Sequence, residues 1–183
     1  MGNFPTPYAG SYYPLYNSGV NQYIPPTPDM PFGDISTLYA AFAHAYPTGN
    51  MKGATLQLEQ GQPEEPDRLR LLNSVARQVN PDIKILISLG WGHQDWTYIA
   101  ADFIFGYNLF PDSVVALIRE YGLDGFDIDD ESINGSSGYI TQQQFNAVVA
   151  NIRAALDAAS SEDGKPYYFT ITPASGTGQV TSD

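Results

Sequence analysis

Continuous apolar runs alternate with helical patterns along most of the chain. Five runs predict β-strands, and their continuity is typical of strands buried on both faces. These runs are residues 9–16, 35–45, 83–89, 123–129 and 167–172. Three segments between them carry apolar residues at helical spacing: residues 67–79, 112–121 and 141–159. The alternation predicts right-handed β–α–β units and therefore an α/β fold with a parallel sheet.

Local signals predict where some of these elements begin and end. Gly122 follows the second helical segment and is expected to end it, since glycine readily adopts the left-handed conformation. Thr141 and Gln144 have the spacing of a capping box at the start of the third segment. Residues 1–31 are rich in proline and tyrosine, which predicts extended chain and loops. The pattern of residues 53–62 does not distinguish between a helix, a strand and a loop.

The composition limits the classes of function. A chain of 183 residues has the size of a single domain, which we place at 1–183. Its net charge of −12 disfavours nucleic acids and anionic membranes as partners. Cysteine is absent, which excludes disulfides, thiolate catalysis and cysteine zinc sites. No apolar run is long enough to span a bilayer, and the first residues lack the pattern of a signal peptide.

Three carboxylates at the end of the fourth predicted strand are the main candidates for chemistry. Side chains alternate along a strand, so Asp127, Asp129 and Glu131 are expected on one face. The C-terminal ends of parallel strands are where α/β folds place their active sites. Repulsion from the two aspartates disfavours ionisation of Glu131, which would keep it a proton donor.

Other interpretations of this acidic run remain open from the residues alone. On charge alone, a solvated surface or a helix-capping cluster is the more common case. A calcium loop is poorly matched, because Ser132 and Gly138 stand where such a loop needs glycine and glutamate. A magnesium–phosphoryl site lacks the glycine-rich phosphate loop that usually accompanies it.

The segment 124–131 (DGFDIDDE) resembles the D-G-x-D-x-D-x-E signature of glycoside hydrolase family 18, the chitinases and endo-β-N-acetylglucosaminidases. Its context is similar too: residues 83–92 resemble the family's third strand, residues 34–43 its second, and residues 9–16 its first. The resemblance implies a (β/α)8 TIM barrel, which typically needs about 250 residues. We therefore expect a barrel truncated after the fifth strand, without the family's later substrate-binding tyrosine and tryptophan.

The resemblance also implies a retaining, substrate-assisted cleavage of β-1,4-linked N-acetylglucosamine, in chitin or in the core of N-glycans. Glu131 would be the general acid/base, Asp129 would stabilise the substrate's acetamido group, and Asp127 would support Asp129. No cofactor and no metal are expected. The family suggests a secreted or extracellular protein. The alternative is a catalytically silent relative that only binds carbohydrate, as a lectin or an inhibitor, although such a protein has no use for Glu131.

Aromatic residues near strand ends are candidates for sugar stacking. The candidates are Tyr13, Phe42, Tyr46, Trp91 and Trp96, with Ser88 and Gly90 as supporting residues. Packing in the core is the alternative role of such rings. Trp91 departs from the resemblance, since the family commonly has a second glycine there. His44 and His93 are expected to be packed or surface residues rather than metal ligands. The expected partner is a saccharide that contains N-acetylglucosamine, and the uncovered sheet edges are expected to promote self-association.

Overall fold

A computed structural model describes residues 8–18, 22–60, 62–90, 93–130 and 139–173. Strands and helices alternate along these residues, as the apolar pattern predicts. The strands are β1 (Gly10–Pro14), β2 (Thr37–Thr48), β3 (Gly53–Leu58), β4 (Lys84–Leu89), β5 (Gly125–Asp130) and β6 (Tyr168–Pro173). The helices are α1 (Glu65–Val79), α2 (His93–Ile104), α3 (Leu109–Tyr121) and α4 (Gln142–Asp163). A single 3-10 turn, Phe32–Asp34, precedes β2.

The strands form one sheet in the order β1-β2-β4-β5-β6, and all five of these strands are parallel. They correspond to the five predicted runs, which confirms the α/β class and the parallel sheet. The exception is β3, which lies in the ambiguous segment and pairs antiparallel with the extended end of β2. The strand order is that of consecutive strands in a barrel, where each β–α–β unit adds the next neighbour.

The helix boundaries follow local chemistry. The Thr141 side chain accepts a hydrogen bond from the Gln144 backbone N–H, and the Gln144 side chain accepts one from Thr141 N, so the predicted capping box is present at α4. Gly122 ends α3 with φ of 65°, as predicted. The helix α2 was not predicted, although Trp96, Ile99 and Ala100 repeat at helical spacing and are buried.

The two faces of the sheet have different character. Side chains such as Phe126 and Ile128 of β5 belong to the large apolar core that also includes residues of all four helices. The opposite face of the sheet carries a small buried cluster of Tyr39, Leu86 and Tyr168. Toward the C-terminal ends of the strands this second face becomes polar. Strand alternation therefore separates a helix-covered face from a face that carries carboxylates and hydroxyls.

Within the described ranges, no single helix is long and apolar enough to cross a membrane. The pair α2 and α3 reaches the required length and composition only together, with a bend of 118° between them.

Candidate active site

Asp127 lies at the centre of a group of hydroxyl donors on the polar face of the sheet. Ser88 Oγ is 2.7 Å from its Oδ2, and the Tyr12 hydroxyl is 2.9 Å from the same oxygen. Thr170 Oγ1 donates to Oδ1 over 2.6 Å, and Thr172 Oγ1 lies 3.4 Å from Oδ1. The carboxyl group is fully buried, so these bonds replace the water that an ionised carboxylate would otherwise need.

The strand register explains why these side chains meet. Asp127 lies directly opposite Ser88 on β4 and opposite Thr170 on β6. Side chains at opposed positions of neighbouring strands project from the same face, so both hydroxyls reach the carboxylate. Tyr12 comes from the far edge strand β1 and spans the concave side of the sheet to contact Asp127.

Gly125 allows β5 and β6 to approach closely. A Cβ atom at this position would lie 2.1 Å from the Tyr168 carbonyl oxygen, which is far inside van der Waals contact. The glycine of the acidic motif is therefore required by packing, since only a residue without a side chain fits here. The close approach also brings Thr170 within hydrogen-bond distance of Asp127.

Burial is the dominant influence on the titration of Asp127. It raises the pKa of the carboxyl group above its ordinary value, and the hydrogen bonds from Thr170, Ser88, Tyr12 and Thr172 oppose that rise. Burial also raises the pKa of the Tyr12 phenol, with further contributions from the negative charges of Asp127 and Asp129. The phenol therefore stays protonated and remains a hydrogen-bond donor at physiological pH.

Asp129 occupies the next position on the same face of β5, one step nearer the C-terminal end of the strand. It is buried, and it lies opposite Thr172 in the strand register. Two carboxyl groups thus follow each other along one buried strand face, as the alternation argument predicts for these two residues. Glu131, the third carboxylate of the prediction, lies outside the described residues.

Aromatic side chains lie beside this polar group. Phe42 is 6.3 Å from Tyr12 between ring centroids, and it stacks on Tyr16 at 6.0 Å. The register between β2 and β4 shifts between Ala41 and Ala43, so Phe42 is an extra residue in β2. This irregularity leaves the Phe42 ring beside Tyr12 rather than in the helix-covered core.

Among the described residues, no group of three or more histidine, aspartate or glutamate side chains is arranged to hold a metal ion. The geometry instead offers a buried, hydroxyl-bonded carboxylate, a second carboxyl group beside it, and aromatic rings at its edge. Such an arrangement can orient a polar substrate group and stabilise positive charge that develops close to it.

Comparison with known proteins identifies the family. The sequence profile described as Glycosyl hydrolases family 18 matches residues 11–182, which is nearly the whole chain. The chain belongs to glycoside hydrolase family 18. Two chitinases are relatives of this family 18 chain. Chitinase A1 of Niallia circulans is 35% identical over 102 residues, which are 52% of this chain and 15% of that protein. A class V chitinase of Arabidopsis thaliana is 28% identical over 148 residues, which are 77% of this chain and 36% of that protein.

Solved structures of family 18 show the same fold. The chitinase of Cycas revoluta, in complex with (GlcNAc)3, matches with a TM-score of 0.69 at 23% identity, covering 88% of this chain and 44% of that one. The class V chitinase of Nicotiana tobaccum matches with a TM-score of 0.67 at 20% identity. The chain therefore has the fold of a family 18 TIM barrel and spans less than half the length of these relatives.

Two of the residues predicted to stack on sugar pack against the core in the structure. Tyr13 lies on the opposite face of β1 from Tyr12, packs near Phe32, and donates its hydroxyl to the carbonyl oxygen of Ile24. Trp96 lies in α2, is only 3% exposed, and packs against Phe145 of α4. Trp96 is thus part of the core, and Tyr13 packs against the core from its edge.

The other predicted residues fall into two groups. Ser88 bonds to Asp127, Phe42 lies beside Tyr12, and Gly90 follows β4, the strand that carries Ser88. Trp91 lies outside the described residues, as Glu131 does. His44 is a packed residue that bonds to Asp95, in agreement with its expected structural role.

Three hydroxyl-bearing residues of the site were missed from the sequence: Tyr12, Thr170 and Thr172. The threonines had a detectable signal, because they alternate with Phe169 and Ile171 at the period of a strand. Tyr12 had no such signal. It stands beside Tyr13 in a strand that is apolar on both faces, so the sequence does not show which of the two tyrosines faces the site.

Proposed function

We propose that this family 18 chain supplies the catalytic half of a glycosidase that cleaves β-1,4-linked N-acetylglucosamine. The observation that carries this proposal is the pair Asp127 and Asp129 on one buried strand face, four and two residues before Glu131 in the signature motif. Two buried carboxyl groups do not stabilise a protein core, because removing each of them from water costs free energy. Their burial therefore indicates a role in function.

Each carboxylate has a distinct role in the proposed mechanism. Glu131 donates a proton to the glycosidic oxygen and then takes one from the attacking water. The acetamido oxygen of the substrate is the nucleophile, and Asp129 orients and stabilises this group as it gains positive charge. Asp127 supports Asp129 from a position that four hydroxyl groups define. The anomeric configuration of the product is retained.

The comparisons support N-acetylglucosamine oligomers as the substrate class. Two sequence relatives are named chitinases, and the chitinase of Cycas revoluta was solved with (GlcNAc)3. Because the chain covers less than half of each of these proteins, the activity is proposed for the protein at its full encoded length. Action outside the cell, which the family resemblance implies, is part of the same proposal.

The decisive experiment is the substitution Glu131→Gln in the protein at its full encoded length. Release of products from chitooligosaccharides is expected to stop, because the amide cannot donate a proton, while the thermal unfolding midpoint stays the same. The matched control is Asp130→Asn, which changes the adjacent acid on the opposite face of the strand and is expected to keep turnover. Full turnover in the Glu131→Gln variant would refute the proposed mechanism.

A further inference from the structure

The hairpin of β2 and β3 extends beyond the sheet at the end that holds the carboxylates. Pairing between β2 and β4 ends at Ala43 and Leu89, whereas pairing between β2 and β3 continues to Thr48. Alternate positions of the hairpin pack in the apolar core: Ala43, Ala45, Ala54 and Leu56. The positions between them are half-buried on the other side, which we call the outer hairpin face: His44, Tyr46, Thr55, Gln57 and Glu59.

The outer hairpin face is continuous with the side of the sheet that carries Asp127. Phe42 precedes His44 by two positions on β2, and residues two apart in a strand project from the same side. The Phe42 ring lies 6.3 Å from the Tyr12 ring between centroids, and the Tyr12 hydroxyl donates to Asp127 over 2.9 Å. The outer hairpin face therefore begins next to the candidate active site.

Two side chains of the outer hairpin face keep hydrogen-bonding capacity that no group in the described ranges uses. His44 Nδ1 lies 3.0 Å from Asp95 Oδ2, which fixes the ring and leaves Nε2 without a partner. The Tyr46 hydroxyl accepts a bond from the backbone N–H of Gln60 over 2.8 Å, which leaves its own proton available. Gln60 follows the end of β3, so the Tyr46 hydroxyl is directed back along the hairpin toward the candidate active site.

Glu59 adds a carboxylate to the same face. Its backbone N–H donates to Oε2 of the fully buried Glu65 over 2.7 Å, so its backbone is fixed, although its own carboxylate bonds to no described residue. Burial alone would lower the pKa of His44, but the bond to Asp95 and the surrounding negative charges, including that of Glu59, raise it. Burial raises the pKa of the Tyr46 phenol, and the charge of Glu59 contributes to that rise. The Glu59 carboxylate thus lies close enough to act on both His44 and Tyr46.

These groups suit the hydroxyl groups of a neutral sugar. The Glu59 carboxylate accepts hydrogen bonds, the Tyr46 hydroxyl donates one, and His44 Nε2 does either according to its protonation. The Phe42 ring beside them offers an apolar surface to the face of a sugar ring. We propose that the outer hairpin face is a second saccharide-binding surface, on which Glu59, His44 and Tyr46 hold sugar units remote from the bond that is cleaved. The choice of saccharide rests on the proposed function.

The dependence of turnover on the length of the sugar chain tests this inference. In the protein at its full encoded length, Glu59→Gln is expected to lower kcat/KM for a hexasaccharide of N-acetylglucosamine by about fivefold to tenfold, because a bond to a charged group is lost. For a trisaccharide, which is too short to occupy both surfaces, the change is expected to stay below about twofold. The matched control is Glu120→Gln, at an exposed acid of α3, which is expected to change neither value. An equal loss for both lengths would show a structural effect on the active site and would overturn the inference.

Tyr46→Phe gives an independent measurement from β2. It removes the phenolic proton but keeps the ring, and the same selective loss for the hexasaccharide is expected. The control is Tyr107→Phe, at a tyrosine that is 52% exposed in the connection between α2 and α3. Because Tyr46→Phe also removes the acceptor of the Gln60 N–H, its thermal unfolding midpoint is measured alongside. Glu59→Gln decides the test if Tyr46→Phe unfolds, since the Glu59 carboxylate bonds to no described residue.

Equilibrium binding separates this inference from the proposed function. A thio-linked hexasaccharide of N-acetylglucosamine resists hydrolysis, and calorimetry is expected to give the same loss of affinity, about fivefold to tenfold, in Glu59→Gln and Tyr46→Phe. Unchanged affinity and turnover in both variants would overturn the inference while the proposed function stands. Absence of turnover in the unsubstituted protein would refute the proposed function, and calorimetry would then decide the inference alone. Failure of the unsubstituted protein to bind the thio-linked chain would overturn the inference.

Discussion

The hydroxyl oxygens of Tyr12 and Thr172 lie 2.7 Å apart, although the two residues are separated by 160 positions in the sequence and belong to opposite edge strands of the sheet. This contact requires the sheet to curve until β1 and β6 approach each other across its concave side. Asp127, on the strand beside β6, is enclosed by that curvature and bonds to residues of both edges. Residues from both edges of the five-stranded parallel sheet therefore help to bury Asp127.

The Tyr12 hydroxyl is predicted to stabilise the buried carboxylate. Tyr12→Phe removes one hydrogen-bonding group but keeps the ring, and a bond to a charged group contributes about 1.5–3 kcal/mol. We expect turnover in the full-length protein to fall roughly tenfold, which corresponds to about 1.4 kcal/mol. Steady-state kinetics on chitooligosaccharides will measure the change.

Tyr13→Phe is the matched control, because it removes the same atom from the neighbouring residue on the opposite face. It should lower the free energy of unfolding slightly, since Ile24 loses its donor, and leave turnover unchanged. Equal losses of turnover in the two variants would contradict the assignment of Tyr12 to the site.

Asp127 is predicted to make stability depend on pH in a specific direction. Its pKa is raised in the folded protein, so the folded state holds the proton more tightly than the unfolded chain does. The free energy of unfolding should therefore decrease as the pH rises from about 3.8 through the raised pKa, because protons then leave the folded state.

Asp127→Asn should reduce that slope while also reducing turnover. Urea denaturation of the wild type and of Asp127→Asn between acidic and neutral pH will measure the difference in slope. The control is Asp112→Asn, which makes the same chemical change at an exposed acid in the first turn of α3. Parallel curves for wild type and Asp127→Asn would exclude a raised pKa at this residue.

Gly90 and His44 are predicted to be energetically coupled. Gly90→Ala places a methyl group against the imidazole, and overpacking of this kind typically costs about 1–3 kcal/mol. In a His44→Ala background the same substitution should cost much less, since the obstructing ring is gone. Unfolding free energies of the two single variants and the double variant will give the coupling, and additive effects would show that the two residues do not interact.

The edge strands are predicted to cause self-association of the 183-residue chain. Most of β1 is exposed, and Ile171 on β6 is 43% exposed, so within the part of the chain that the structure describes both edges present backbone groups and apolar surface. Light scattering after size-exclusion chromatography should show a mass that increases with concentration. Ile171→Lys should reduce this association, because charge on an edge strand opposes pairing, while a wild-type monomer at every concentration would contradict the prediction.

The sequence predicted much of the fold because its signals are local. The five parallel strands and three of the four described helices follow from runs and periodicities that each lie within one element. The acidic motif likewise placed Asp127 and Asp129 on one face, since alternation is a property of a single strand. The antiparallel strand β3 was not predicted, because its short apolar pattern does not by itself indicate a strand. Its conformation depends on pairing with β2.

The sequence by itself determined the family, the order of the parallel strands and the shared strand face of Asp127 and Asp129, because these depend on motifs and on spacing along one segment. Only the tertiary structure decided which of two adjacent tyrosines reaches Asp127, and that Trp96 packs against Phe145 of α4. A strand that is apolar on both faces does not reveal which face becomes concave. That choice depends on the register and curvature of the whole sheet, to which strands distant in sequence contribute together.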